Sequence, residues 1–190
     1  MLDRKLQVCY HEAGHTVMAI ACGLKVTKVT CIENIEENSS GRTSLDVDAF
    51  PKALFDIYKH ALVSTAGLAG SMIYHIEHNP NIKDDDEVDE GIYGDLEKTK
   101  YILRRAHPES SEDVITIMYK TIIGYSSRVL ERLPYLGFIR ELANELYHET
   151  VLNEDKIANY YDRIPKLDTI EFENIMLMIQ IQYNELIKNQ

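Results

Sequence analysis

His11-Glu12-Ala13-Gly14-His15 holds the residue types best suited to chemistry in this chain. Residues four apart on a helix share a face, so His11 and His15 can offer two imidazole nitrogens to one metal ion. Glu12 stands about 100° around the helix from His11, near enough to work on a water beside the metal without filling a ligand position. This is the H-E-x-x-H arrangement of zinc-dependent peptide hydrolysis, in which the metal polarises a water and the glutamate takes its proton. The bland alternative is an amphipathic helix with two incidental histidines, serving as an interaction module without metal. Cys9 lies two residues before His11 but points about 200° away from it on a helix, which makes it a core thiol.

The elements that must position these residues are legible in outline. A first helix is expected from about Asp3 to Ala21, ended by Gly23. Lys25 to Ile32 is β-branched and alternating and reads as a strand, followed by an extended piece around Arg42 to Val47 that makes a hairpin with it. Helical pattern returns from Pro51 to about His78 and contains the small-residue run Thr65-Ala66-Gly67-Leu68-Ala69-Gly70-Ser71. Such a run lets another helix approach closely, here the helix with the two histidines. Asn79 to Tyr93 reads as a solvated loop, because six acids in the seven positions from Asp84 to Glu90 would repel one another in a helix. A further helix is expected after Gly94 with Asp95 at its N-terminal end. Four more follow at about Ser111 to Arg132, Tyr135 to Glu149, Asn153 to Arg163 and Thr169 to Lys188. Ser110-x-x-Asp113 and Asp168-x-x-Glu171 supply capping signals. The expected fold is mainly α, with a small β-hairpin or sheet beside the active-site helix. Residues 1–165 form the main domain, and 166–190 form a C-terminal helix packed on it.

Bulk properties narrow the function. At 190 residues, with 45% hydrophobic and 27% charged content, the chain can bury a real core. The net charge of −11 leaves no basic stripe for phosphates, which argues against nucleic acid and favours basic or neutral substrates. No signal-peptide pattern and no long uncharged apolar run stand in the sequence, so no membrane span and a cytoplasmic address are expected. Cys9, Cys22 and Cys31 form no C-x-x-C pair, and their odd number fits reduced thiols.

A catalytic zinc takes three protein ligands, and the residues by themselves leave the third open. Met18 and Ala21 occupy the positions where a metzincin would place glycine and a third histidine. His75 and His78 are three apart but flank the acidic stretch, as surface residues would. His60, His107 and His148 have no spaced partner. Over roughly Leu6 to Ile157 the chain resembles the peptidase domain of FtsH-type ATP-dependent zinc proteases. His11 to His15 matches that family's His-Glu-Ala-Gly-His. Val26-Thr27-Lys28-Val29-Thr30-Cys31-Ile32 is similar to its following strand, and Gly41-Arg42-Thr43 to its glycine-bearing return strand. Gly67 to Ile73 resembles its small-residue helix, Gly94-Asp95-Leu96-Glu97-Lys98-Thr99 its Asp-Leu segment, and Leu142 to Leu146 with Glu149 to Leu152 its C-terminal segments. The chain departs from the family at Glu33-Asn34-Ile35, where Pro-Arg-Gly would stand. The small-residue helix lacks the family's arginine and paired glutamates, and no phosphate-binding Gly-x-x-x-x-Gly-Lys-Ser/Thr occurs.

The resemblance implies Asp95 as the third ligand, so that one Zn²⁺ is held by His11, His15 and Asp95, with Glu12 as the general base. The activity implied is endopeptidase cleavage of unfolded or flexible polypeptides, independent of ATP. Lys28, Val29, Thr30, Cys31 and Ile32 are expected to form an edge strand that binds extended peptide, and Tyr74 and Tyr93 are candidates to steady the carbonyl oxygen. A separate ATPase and a homo-oligomer are the partners left open besides the substrate. The alternative function is a non-catalytic, metal-bearing adaptor or decoy of FtsH-type proteases.

Overall fold

Asp3 opens the first helix by accepting a hydrogen bond from the Leu6 amide, and α1 then runs Arg4–Ala21. From Gln7 onward every residue of α1 is buried, as expected of a helix enclosed on all sides. Gly23 takes the left-handed conformation (φ 75°) that turns the chain into the sheet. The computed structural model describes residues 3–32, 40–46, 51–78 and 90–188. Among these, seven helices surround one small antiparallel sheet, so the protein is mainly α.

The sheet has three strands, β1 (Val26–Thr30), β2 (Arg42–Leu45) and β3 (Val151–Asn153), in the order β2-β1-β3. Val29 faces Thr43 on one side and Leu152 on the other. The expected hairpin is present, but β1 is its interior strand and not an edge. The sequence reading missed β3, three residues between helices, because so short a segment shows no alternation. Lys28, Val29 and Thr30 are therefore paired on both sides, and Cys31 and Ile32 lie beyond the end of β1.

Helix α2 (Leu54–His78) crosses α1 at very close range. A Cβ on Gly14 would stand 2.3 Å from the Ala66 carbonyl oxygen, and one on Gly70 would stand 2.2 Å from the Tyr10 carbonyl oxygen. The small residues thus serve as expected, bringing the two backbones together. Helix α3 (Glu90–Ala106) begins before Gly94, so Asp95 lies in its second turn and not at its start. The rest of the predicted acidic loop lies outside the described residues.

Helices α4 (Glu112–Leu130), α5 (Leu133–Glu149), α6 (Glu154–Tyr161) and α7 (Thr169–Lys188) complete the chain. The cap of α4 is Ser111, which accepts from the Val114 amide. Ser110 is used differently, donating to the Tyr183 hydroxyl of α7 at 3.1 Å. Helix α7 lies against the helices before it through Phe172, in edge contact with Phe55, and through Tyr183, stacked 3.8 Å from the buried His107 ring. No helix among the described residues is long and apolar enough to cross a membrane.

Candidate metal centre

The helical spacing of His11 and His15 brings their Nε2 atoms to 3.1 Å from one another on the face of α1 that meets α2. Helix α3 delivers Asp95 to the same point, with its Oδ2 3.0 Å from His11 Nε2 and 2.9 Å from His15 Nε2. Asp95, implied by resemblance alone, is thereby brought together with the two histidines in space. These three residues are the one group among the described residues that could hold a metal ion.

The outer sides of the imidazoles determine what the inner sides offer. His15 Nδ1 lies 2.7 Å from the Val63 carbonyl oxygen, which can only accept, so Nδ1 carries the hydrogen. In a neutral ring Nε2 is then a bare lone pair aimed at Asp95. His11 Nδ1 is similarly placed 3.0 Å from the Ser71 hydroxyl oxygen. Asp95 Oδ2 is buried against these two nitrogens and has no hydrogen-bond partner. A cation satisfies all three lone pairs at once, and an ion held tetrahedrally at the usual zinc distances needs donors about 3.3 Å apart. The observed triangle is within a few tenths of an ångström of that. Imidazole donors suit transition ions better than calcium or magnesium.

The electrostatics point the same way. Burial works to lower the His15 pKa, but the charge of Asp95, with Glu12 behind it, raises it to about 9. Burial works to raise the Asp95 pKa, and the two histidines hold it well below the usual carboxylate range. A buried spot that attracts positive charge against its desolvation cost is where a cation belongs.

Space for an ion comes from Gly67. A Cβ there would stand 2.3 Å from His15 Nε2 and 2.5 Å from His11 Nε2. The sequence reading assigned the small-residue run to packing alone, which holds for Gly70 but misses that Gly67 faces the donors. Ser71 and the Val63 carbonyl were missed as well; both lie on α2 one turn from Gly67, where helical spacing could have found them.

Glu12 is buried on the sheet side of α1. Thr43 of β2 donates to Glu12 Oε2 at 2.7 Å. A Cβ on Gly41 would stand 2.7 Å from Glu12 Oε1, so the glycine just before β2 makes room for the carboxylate. The site is thus bounded by α2 and α3 on its ligand side and by β2 on its carboxylate side.

The remaining candidates fall away from this point. Tyr74 exchanges hydrogen bonds with the Asp3 backbone at the start of α1, and the Tyr93 side chain lies outside the described residues. His75 Nε2 meets Gln7, and His78 meets the Tyr10 hydroxyl. Cys9 is a buried thiol that takes no part in the ligand group, and the three cysteines are free.

No family model and no curated protein matches the chain. Fold and site together define a mainly helical protein with a buried His-His-Asp group that could hold a metal ion.

Proposed function

We propose that this protein is a zinc metallopeptidase, similar to the peptidase domain of FtsH-type proteases, that hydrolyses unfolded or flexible polypeptides. The observation that carries this reading is the convergence of His11 Nε2, His15 Nε2 and Asp95 Oδ2 around space left by Gly67, with a buried glutamate next in sequence to the first ligand. Zinc, when bound, supplies Lewis acidity toward a water and the scissile carbonyl. His11, His15 and Asp95 hold the ion, and Ser71 and Val63 keep both imidazoles turned with Nε2 inward. The Glu12 carboxylate accepts the proton of the attacking water and passes it to the nitrogen of the departing amine. Thr43 fixes the orientation of that carboxylate.

Because β1 is paired on both sides, the peptide-binding edge passes to β2, which has no further strand beside it among the described residues. Thr43 lies in β2, so a peptide added along it runs past Glu12. Net charge favours basic segments of substrate.

Metal analysis of the purified protein, together with hydrolysis of an unfolded protein, tests the reading. Wild type binds one zinc per chain and cleaves. Glu12→Gln keeps the zinc and loses cleavage, because the amide cannot cycle a proton. Asp95→Ala loses both. Full cleavage by Glu12→Gln excludes the assigned base. Zinc-loaded wild type without hydrolysis of any unfolded substrate supports the metal-bearing adaptor in its place.

A further inference from the structure

Helix α7 is apolar on two faces. Phe172, Ile175, Met176 and Ile179 are buried on the inner one. On the outer side Ile170, Leu177, Met178 and Ile181 are 70, 58, 51 and 41% exposed. Single exposed apolar residues are ordinary, but a helix with one core face normally turns polar residues outward. Beside this ridge runs a groove between α4 and α7 in which apolar Val129, Ile170 and Met178 alternate with the charged Arg128, Asp168 and the Arg132–Glu171 ion pair. Ridge and groove side by side are what a self-complementary, two-fold interface requires.

We propose that this face pairs with the same face of a second copy of the chain, the two α7 helices lying antiparallel. Ile170, Asn174, Leu177, Ile181, Asn184 and Lys188 are alternately four and three apart, which places them on one seam. The seam is symmetric about position 179. An antiparallel copy therefore sets Leu177 against Ile181 of the second copy at the centre, and Asn174 against Asn184 of the second copy on either side.

Charge selects this orientation over the parallel one. Parallel helices would bring two acidic starts together, each with Asp168, Glu171 and Glu173. An antiparallel copy instead sets each acidic start against the other helix's C-terminal end, where Glu185 and Lys188 offset one another. The 20-residue helix is about 30 Å long, and with α4 beside it the face is about 20 Å wide. Each copy then buries roughly 600 Å², a total of about 1,200 Å², at the lower limit of specific interfaces. An interface of this size is expected to associate weakly, in the range of about micromolar, and independently of the metal centre.

Sedimentation equilibrium of the whole chain across about two decades of micromolar concentration is the test. The wild-type mass rises toward twice that of the chain. Leu177→Glu with Ile181→Glu weakens association by at least about 100-fold while far-ultraviolet dichroism stays unchanged, since both positions are exposed in the single chain. Orientation is read separately by mixing Asn174→Cys and Asn184→Cys chains under mild oxidation. The mixed 174–184 disulfide forms in preference to either homotypic one, and the native cysteines, all buried, do not compete. A wild type monomeric throughout, a dimer that survives the double glutamate variant, or predominance of homotypic disulfides would each overturn the proposal.

Discussion

Gly67→Ala adds one methyl group to α2, and that methyl lands among the donor atoms, 2.3 Å from His15 Nε2 and 2.5 Å from His11 Nε2. An ordinary contact needs about 3.5 Å, so both imidazole tips must retreat by about 1 Å. Metal coordination tolerates about 0.2 Å, and losing a mere outer hydrogen-bond partner already costs about 10- to 100-fold in affinity. Zinc affinity in Gly67→Ala is therefore expected to fall by more than about 100-fold. The backbone works in the opposite direction, because alanine in a helix interior is favoured over glycine by up to about 1 kcal/mol. The metal-free melting temperature should thus stay within about 4 °C of wild type. Competition with a chromophoric chelator measures affinity, and thermal unfolding with the metal removed measures the fold. Gly124→Ala in α4, where a Cβ meets nothing within 4 Å, is the control and should leave affinity untouched. If Gly67→Ala binds zinc within about threefold of wild type, the donors do not converge beside this glycine and the site is wrongly placed.

Gly14→Ala and Gly70→Ala should behave oppositely to Gly67→Ala, because their methyls meet backbone carbonyls across the α1–α2 crossing and no side chain can yield. Each should destabilise by about 1–3 kcal/mol or more in denaturant titrations of the metal-free protein; wild-type stability would contradict the crossing. Ser71→Ala removes the partner of His11 Nδ1 and should weaken zinc binding by about 10- to 100-fold without displacing Asp95; unchanged affinity would mean that Ser71 does not orient the ring. Burial holds the His107 pKa below its ordinary value, with Tyr58 hydrogen-bonded to the ring and Tyr183 stacked on it. The unfolded chain takes up this proton first, so the His107 contribution to stability is full above about pH 6.5 and declines as pH falls toward the depressed folded value. Metal-free wild type and His107→Gln compared by urea unfolding at pH 7 and 5 should show the smaller pH loss in the variant.

The sequence alone was enough for everything that depends on neighbours along the chain. Spacing of four puts His11 and His15 on one helical face, the helix starts at about Asp3 and ends before Gly23, and the β-branched run after Gly23 is a strand. Small residues in α2 signal a close helix approach, because glycine and alanine have little else to offer there. Folding decided what depends on distant segments meeting. Whether β1 is an edge turns on three residues more than 120 positions away, and no local pattern marks Val151–Asn153 as its partner. Asp95 is one acid among many until α3 brings it within 3.0 Å of both imidazoles. Gly67 and Gly70 read alike in sequence, yet the crossing points one at the imidazole nitrogens of His11 and His15 and the other at a backbone carbonyl. A helical residue's own spacing defines its face, whereas what that face meets is set only when the helices pack.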